Sequence, residues 1–407
     1  MSFRSWSEVP IALNAARVMG SEGEIPDGWV TIQGETIVDV GVRPPAGVER
    51  LELGDVELMP GIVELHSDCL EERMRPRPGS NEPLGGALLQ VDAEAISHGV
   101  TTHFVCGRVG NNPARMDDGE DAARLVDMVE RWKTRLRADT FVHLRVELTA
   151  RQFDMGTALA TSPAVALMSY MDHSPGQGQF ASEEDWRRYY AGQMGAPEKD
   201  LTQILARQKA LLPEIEARRA WVASTSAATG TTLASHDDDS VAAVARAAQL
   251  GVAISEFPIN TEGIEAAKQA GLGVVMGAPN ARRGGSHMRG LSARQALGAG
   301  QLDGLVSDYH LPSLLAAPYS LVAAGICSLD QAVRLVTEGP ARLVGLHDRG
   351  RIRTGLKADL IAVGSLDGQP AVELVVRNGT PVLGAGSCRE DARSTQPAAL
   401  VPELRSV

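Results

Sequence analysis

The sequence predicts an α/β fold: a (β/α)8 TIM barrel carrying a small β-sandwich built from both chain ends. Three observations point there. Through the middle of the chain, strand-length apolar runs alternate with helix-period segments. Short β-branched runs appear only near the two ends. Most of the central runs finish in polar, ligand-type side chains, which an open doubly wound sheet would leave unexplained.

The 407 residues, 43% of them hydrophobic, suffice for one large and one small domain. Residues 1–58 read as the first part of the small β domain. Trp29-Val30-Thr31-Ile32 and Thr36-Ile37-Val38-Asp39-Val40 are its strands, punctuated by Gly34 and Pro44-Pro45. Residues 59–344 read as the barrel. Its strand candidates are Ile62–Asp68, Thr101–Gly107, Phe141–Leu148, Val165–His173, Thr232–His236, Val252–Phe257, Val274–Ala278 and Leu305–Asp308. Asp117–Arg137, Leu201–Trp221, Ser240–Leu250 and Thr261–Ala270 carry apolar residues at helical spacing. Ser328 and Gln331 form a capping-box pattern that opens a late helix, expected to run to about Glu338 and to stop at Gly339-Pro340. Residues 345–407 return to strands, Leu360–Val363 and Val372–Val376, then the turn Asn378-Gly379 and a polar tail from Ser387.

A net charge of −12 argues against a nucleic-acid or membrane-surface binder and demands a local basic pocket for any anionic ligand. No apolar run approaches the roughly 20 residues of a membrane span. Met1-Ser2-Phe3-Arg4-Ser5-Trp6 lacks the apolar stretch of a secretory signal. Cys69, Cys106, Cys327 and Cys388 are widely spaced, as expected of reduced thiols in a cytoplasmic protein. A homodimer is the default oligomer.

Barrel sites sit at the C-terminal strand ends. There the sequence places His66 and Asp68, Glu147, His173, His236 and Asp308. In a strand, residues two apart share a face, so His66 and Asp68 project together. Imidazole and carboxylate suit Zn²⁺, Mn²⁺ or Fe²⁺, and the lack of cysteine ligands disfavours a soft site. One or two divalent ions are expected, with Glu147 as the candidate bridge and Asp308 placed to handle the proton of an activated water. Taken alone, each residue has a plainer reading: a hydrogen-bonded histidine, or Glu147 in a salt bridge to Arg145. Their joint occurrence at five strand ends favours the metal. His98, His103, His143 and His347 fall off the pattern and read as structural or surface residues. His310 could line the pocket.

Basic residues gather in two predicted barrel-top loops, Arg73-Met74-Arg75-Pro76-Arg77 and Arg282-Arg283-Gly284-Gly285-Ser286-His287. Arginine forks and glycine-exposed backbone N–H groups suit phosphate. A phosphorylated small molecule is therefore the expected substrate, with Arg75, Arg77, Arg282, Arg283 and His287 as its contacts.

Pro60-Gly61-Ile62-Val63-Glu64-Leu65-His66-Ser67-Asp68, the two-ended sheet and Gly355–Leu360 resemble the amidohydrolase superfamily. Met171–Gln177, Ala234–Asp238, Glu256-Phe257-Pro258, Met276–Asn280, Arg283–His287 and Ser307-Asp308-Tyr309 narrow the resemblance to one branch. That branch is the α-D-ribose 1-methylphosphonate 5-triphosphate diphosphatases of the carbon–phosphorus lyase pathway. The resemblance implies metal-dependent hydrolysis of a ribose 5-triphosphate to the 5-phosphate and diphosphate. The branch carries His-x-Asp where its superfamily usually has His-x-His, and Glu256 stands where many relatives have a histidine. Two other readings are an amide or cyclic-amide hydrolase acting on a phosphorylated molecule, and a non-catalytic subunit of a phosphonate-processing assembly.

Overall fold

The computed structural model describes residues 9–384, apart from 78, 111–118, 179, 181, 194–196 and 286–289. His287 and Cys388 lie outside the described residues. The chain opens with β1 (Ile11–Gly20), β2 (Gly23–Gln33), β3 (Thr36–Gly41), β4 (Glu49–Glu52) and β5 (Glu57–Pro60). β1, whose Ile11, Leu13, Ala15 and Val18 are buried, joins the two strand regions expected near this end. Only Gly61 separates β5 from the barrel. A side chain there would strike Thr101 at 2.1 Å, so glycine is what lets the chain turn the corner.

Eight parallel strands follow: β6 (Ile62–Ser67), β7 (Val100–Val109), β8 (Asp139–Glu147), β9 (Val165–Met171), β10 (Thr232–His236), β11 (Ile254–Glu256), β12 (Gly273–Gly277) and β13 (Gly304–Val306). Each hydrogen-bonds to its sequence neighbour. β13 meets β6 at the mouth, where Asp308 N–H donates to the His66 carbonyl (2.9 Å) and Asp68 N–H to that of Asp308 (2.8 Å). Lower down, Leu335 and Val336 lie between them, their carbonyls accepting from Leu305 (2.7 Å) and Val63 (2.9 Å). Inward-facing Val63, Leu65, Phe104, Leu167, Ala234, Ile254, Val275 and Val306 fill the interior beneath the mouth. The polar strand ends above them therefore sit on a dry, packed floor.

β14 (Leu360–Leu366), β15 (Gln369–Arg377) and β16 (Thr380–Gly384) complete the first sheet, in the order β16-β15-β14-β5-β1-β2-β3, with β4 on β1. The β15–β16 hairpin turns at Asn378 (φ 46°) and Gly379 (φ 68°), both left-handed as a type I′ turn requires.

Two expectations need correcting. The late helix ends at Arg334, and Gly339-Pro340 lie inside a separate helix, Glu338–Leu343. Pro340 falls in that helix's first turn, where its missing N–H has no intrahelical role. The single helix expected over Leu201–Trp221 is two, Glu198–Leu211 and Ile215–Thr229, joined by a 3₁₀ turn around Pro213.

Between β9 and β10, Phe180, Trp186, Tyr190, Leu201 and Leu205 form a small core of their own. Its Trp186 indole N–H donates to the carbonyl of His173 (3.0 Å). The insert thereby fixes the backbone of a site residue from above.

Candidate metal centre

His66, Asp68, Glu147, His173, His236 and Asp308 all stand at the C-terminal mouth of the barrel, at the ends of β6, β8, β9, β10 and β13. Among the described residues four groups of donor atoms converge: His66 with Asp68 and Asp308, His173 with His236 and Asp237, His66 with His236 and Glu256, and His66 with Cys106 and His143. Each group's members lie within 4.8 Å of one another.

Two histidine–carboxylate pairs orient the rings. His66 Nδ1 lies 3.0 Å from Glu256 Oε1, and His173 Nδ1 lies 2.7 Å from Glu147 Oε2. A carboxylate on one ring nitrogen fixes the tautomer and presents the other nitrogen to an ion. His66 Nε2, His236 Nδ1 and Glu256 Oε2 are buried without a hydrogen-bond partner among the described residues. Such atoms are costly to bury unpaired. Orphaned imidazole nitrogens beside carboxylates are the donor set of a divalent ion, so the residues fit a metal. Glu147, the expected bridge, also accepts from the His173 backbone N–H (3.1 Å).

Arg145 sits at the centre of this arrangement. It does not pair with Glu147. Its Nη1 donates to both oxygens of Asp68, at 2.7 and 2.5 Å, and its Nη2 lies 3.2 Å from His236 Nε2. Burial would raise Asp68, but the guanidinium holds that carboxylate well below its usual range. Burial would also raise Glu256; the imidazoles of His143 and His66 outweigh it and bring the group to about 2. Asp308 moves the other way. Burial, with the charge of Asp68 behind it, lifts it to about 6. Deeper, burial lifts Glu64 to about 7, against the backbone N–H groups of His66 and Ser307 that it accepts from.

The backbone is strained at the same rim. Asp237 (φ 59°), Phe257 (φ 53°) and Asp308 (φ 55°) are left-handed without being glycine. Phe257 has no polar side chain to ease that conformation. Its ring packs 4.9 Å from His66 and 5.2 Å from His236, walling the two imidazoles.

Comparison with known proteins gives the family. The Amidohydrolase family model matches residues 214–384. Over 367 residues the chain is 37% identical to alpha-D-ribose 1-methylphosphonate 5-triphosphate diphosphatase of Escherichia coli (strain K12), covering 89% of this chain and 97% of that one. The chain belongs to this diphosphatase family. Solved structures share the fold at low identity. A Xaa-Pro dipeptidase with bound methionine has a TM-score of 0.61 at 15% identity, over 92% of this chain and 100% of that one. N-acetyl-D-glucosamine-6-phosphate deacetylase from Mycobacterium smegmatis has 0.57 at 18%, with the same coverages.

The arginines expected around the mouth stand as follows. Arg75 caps the short helix Cys69–Met74 and lies 3.7 Å from Asp121. Arg77 is exposed. Arg282 and Arg283 end the helix Ala278–Arg283, and Arg283 donates to the Tyr309 hydroxyl (2.5 Å).

Sequence reasoning did not pick out four residues of this diphosphatase-family bowl. Glu256 figured only as a departure from the family pattern. Asp237 lay next to a chosen histidine. Arg145 looked like a partner for Glu147. Arg108 had a usable signal, because Phe104, Cys106 and Arg108 alternate along β7 and Phe104 faces the barrel interior. Arg108 therefore faces the mouth, in register with Arg145, and lines a cleft together with Arg75 and Asp121. His143, read as structural, lies under the bowl. Its ring nitrogens meet the Leu65 carbonyl and the Ser169 hydroxyl, each at 2.9 Å.

Proposed function

We propose that the protein hydrolyses α-D-ribose 1-methylphosphonate 5-triphosphate to the 5-phosphate and diphosphate, as a metal-dependent step of phosphonate catabolism. The observation that carries this reading is 37% identity to the E. coli diphosphatase over 89% of the chain, combined with donor groups converging at the barrel mouth.

His66 with Asp68, and His173 with His236 and Asp237, are the donors that would hold one or two divalent ions, Mn²⁺ or Zn²⁺, with Glu147 and Glu256 orienting the rings. When bound, it supplies Lewis acidity that polarises a phosphoryl oxygen and acidifies water. Asp308 takes the proton as the water oxygen bonds to phosphorus and the anhydride P–O bond breaks. Arg75, Arg77, Arg282 and Arg283 neutralise the polyphosphate and the departing diphosphate. No helix of the described residues is long and apolar enough to cross a membrane. The basic residues at the mouth support a small phosphorylated substrate.

The test is diphosphate release from the triphosphate substrate, using metal-stripped protein and protein reconstituted with Mn²⁺ or Zn²⁺. Metal-dependent release is expected. Folded, metal-loaded protein that releases no diphosphate would overturn the reading and turn the search to phosphorylated amides and lactams.

A further inference from the structure

Asp68 offers two carboxylate oxygens, and Arg145 occupies both. The same guanidinium reaches His236 Nε2 at 3.2 Å. Arg145 is only 5% exposed, and a guanidinium does not lose its proton in a protein. It is thus a permanent positive charge buried between the group of His66, Asp68 and Asp308 and that of His173, His236 and Asp237, bonded to one member of each. An ion shared by His66, Asp68 and Asp308 would have to take Asp68 from that fork and lie against the like charge of the buried guanidinium.

In the other group Arg145 meets only His236 Nε2, and no hydrogen bond joins it to Asp237 among the described residues. His236 keeps its Nδ1, which faces Asp237 Oδ2 at 3.1 Å. His173 Nε2 lies 3.8 Å from the same oxygen, and its Nδ1 is held by Glu147.

We propose that Arg145 stands in place of a second ion, and that the bowl holds one divalent metal on the His173, His236 and Asp237 side. Arg145 then positions Asp68 and leaves Asp308 outside the metal's donor set, free to act on water. This rests on the metal-dependent reading above and fixes its stoichiometry.

The experiment titrates metal-stripped full-length protein with Mn²⁺ and, separately, Zn²⁺ by calorimetry. Bound metal is counted by elemental analysis, and diphosphate release is assayed on the same samples. The wild type should take one tight equivalent per chain. His173→Gln should lose it, with affinity falling at least about tenfold. Arg145→Gln should admit a second equivalent, while Arg145→Lys, which keeps the charge, should not. Circular dichroism confirms folding of each variant. Two tight equivalents in the wild type would overturn the proposal, as would full retention of metal in folded His173→Gln. A folded Arg145→Gln that takes no second ion at millimolar metal would overturn the role given to Arg145. Two equivalents with normal diphosphate release would sink the stoichiometry alone; one equivalent with no release would sink the diphosphatase reading alone.

Discussion

At Asp308, a left-handed backbone and a carboxyl lifted to about 6 coincide. The backbone turn aims the side chain into the bowl, and burial beside Asp68 weakens its acidity. Both suit a group that receives a proton. Asp308→Asn should lower kcat by about 100-fold or more while bound metal, counted by elemental analysis, stays unchanged. Arg108 is placed for binding instead. It faces the mouth beside Arg145, but no ion-pair partner holds its guanidinium among the described residues. Arg108→Ala should raise KM for the triphosphate by about tenfold or more, the worth of a charged hydrogen bond, with kcat changed far less. Steady-state kinetics separates the two outcomes. The donor types were legible in the sequence because period-2 alternation puts them at strand ends. Arg145 was not, because its partners Asp68 and His236 are 77 and 91 residues away. Only barrel closure brings them together.

Among the elements, β7 and β8 show how a strand pair sets a site. Beyond the β7 end, Gly110 comes so near Glu147 that an added Cβ would lie 2.5 Å from the Glu147 Cβ. Gly110→Ala should push Glu147 off His173, weaken metal affinity and cost about 1–3 kcal/mol of stability as overpacking. Calorimetric metal binding and a thermal melt would show both. The barrel strands were readable as apolar runs, and their observed bounds differ from the expected ones by one or two residues at most ends. The late helix was misread because Gly-Pro is a stop signal only when it follows a helix; here it opens one. The aromatic core of the insert escaped notice. Its members are spread over a segment whose local periodicity does not reveal that they meet.

Across the whole molecule, buried polar links tie the sheet to the barrel. Glu57 on β5 accepts from the hydroxyl of Tyr319 (2.6 Å), which belongs to the barrel helix Pro312–Ala323. Tyr319→Phe should cost about 1–3 kcal/mol by leaving a buried carboxylate oxygen unpaired, read as a shift in urea midpoint. Arg349, 5% exposed, donates to Thr102 and Asp139, both at 2.8 Å. Arg349→Met should cost about 1–3 kcal/mol, because it leaves the half-buried Asp139 without this partner. The two-ended sheet was legible from composition, since both termini are rich in β-branched residues. The strand pairings that join them were not, because cross-strand partners so far apart leave no local pattern.

That pairing has a consequence for how the protein is made. β5 lies between β1 and β14 in the sheet, so one side of it waits for a strand some 300 residues downstream. At about 5–20 residues per second on the ribosome, the wait is roughly 15–60 s. Throughout it, the nascent chain displays the apolar edge of Leu58 and Met59 with nothing to cover it. Chaperone engagement should therefore concentrate on this interval, and a transcript broken before codon 360 should yield an aggregating product however complete its barrel.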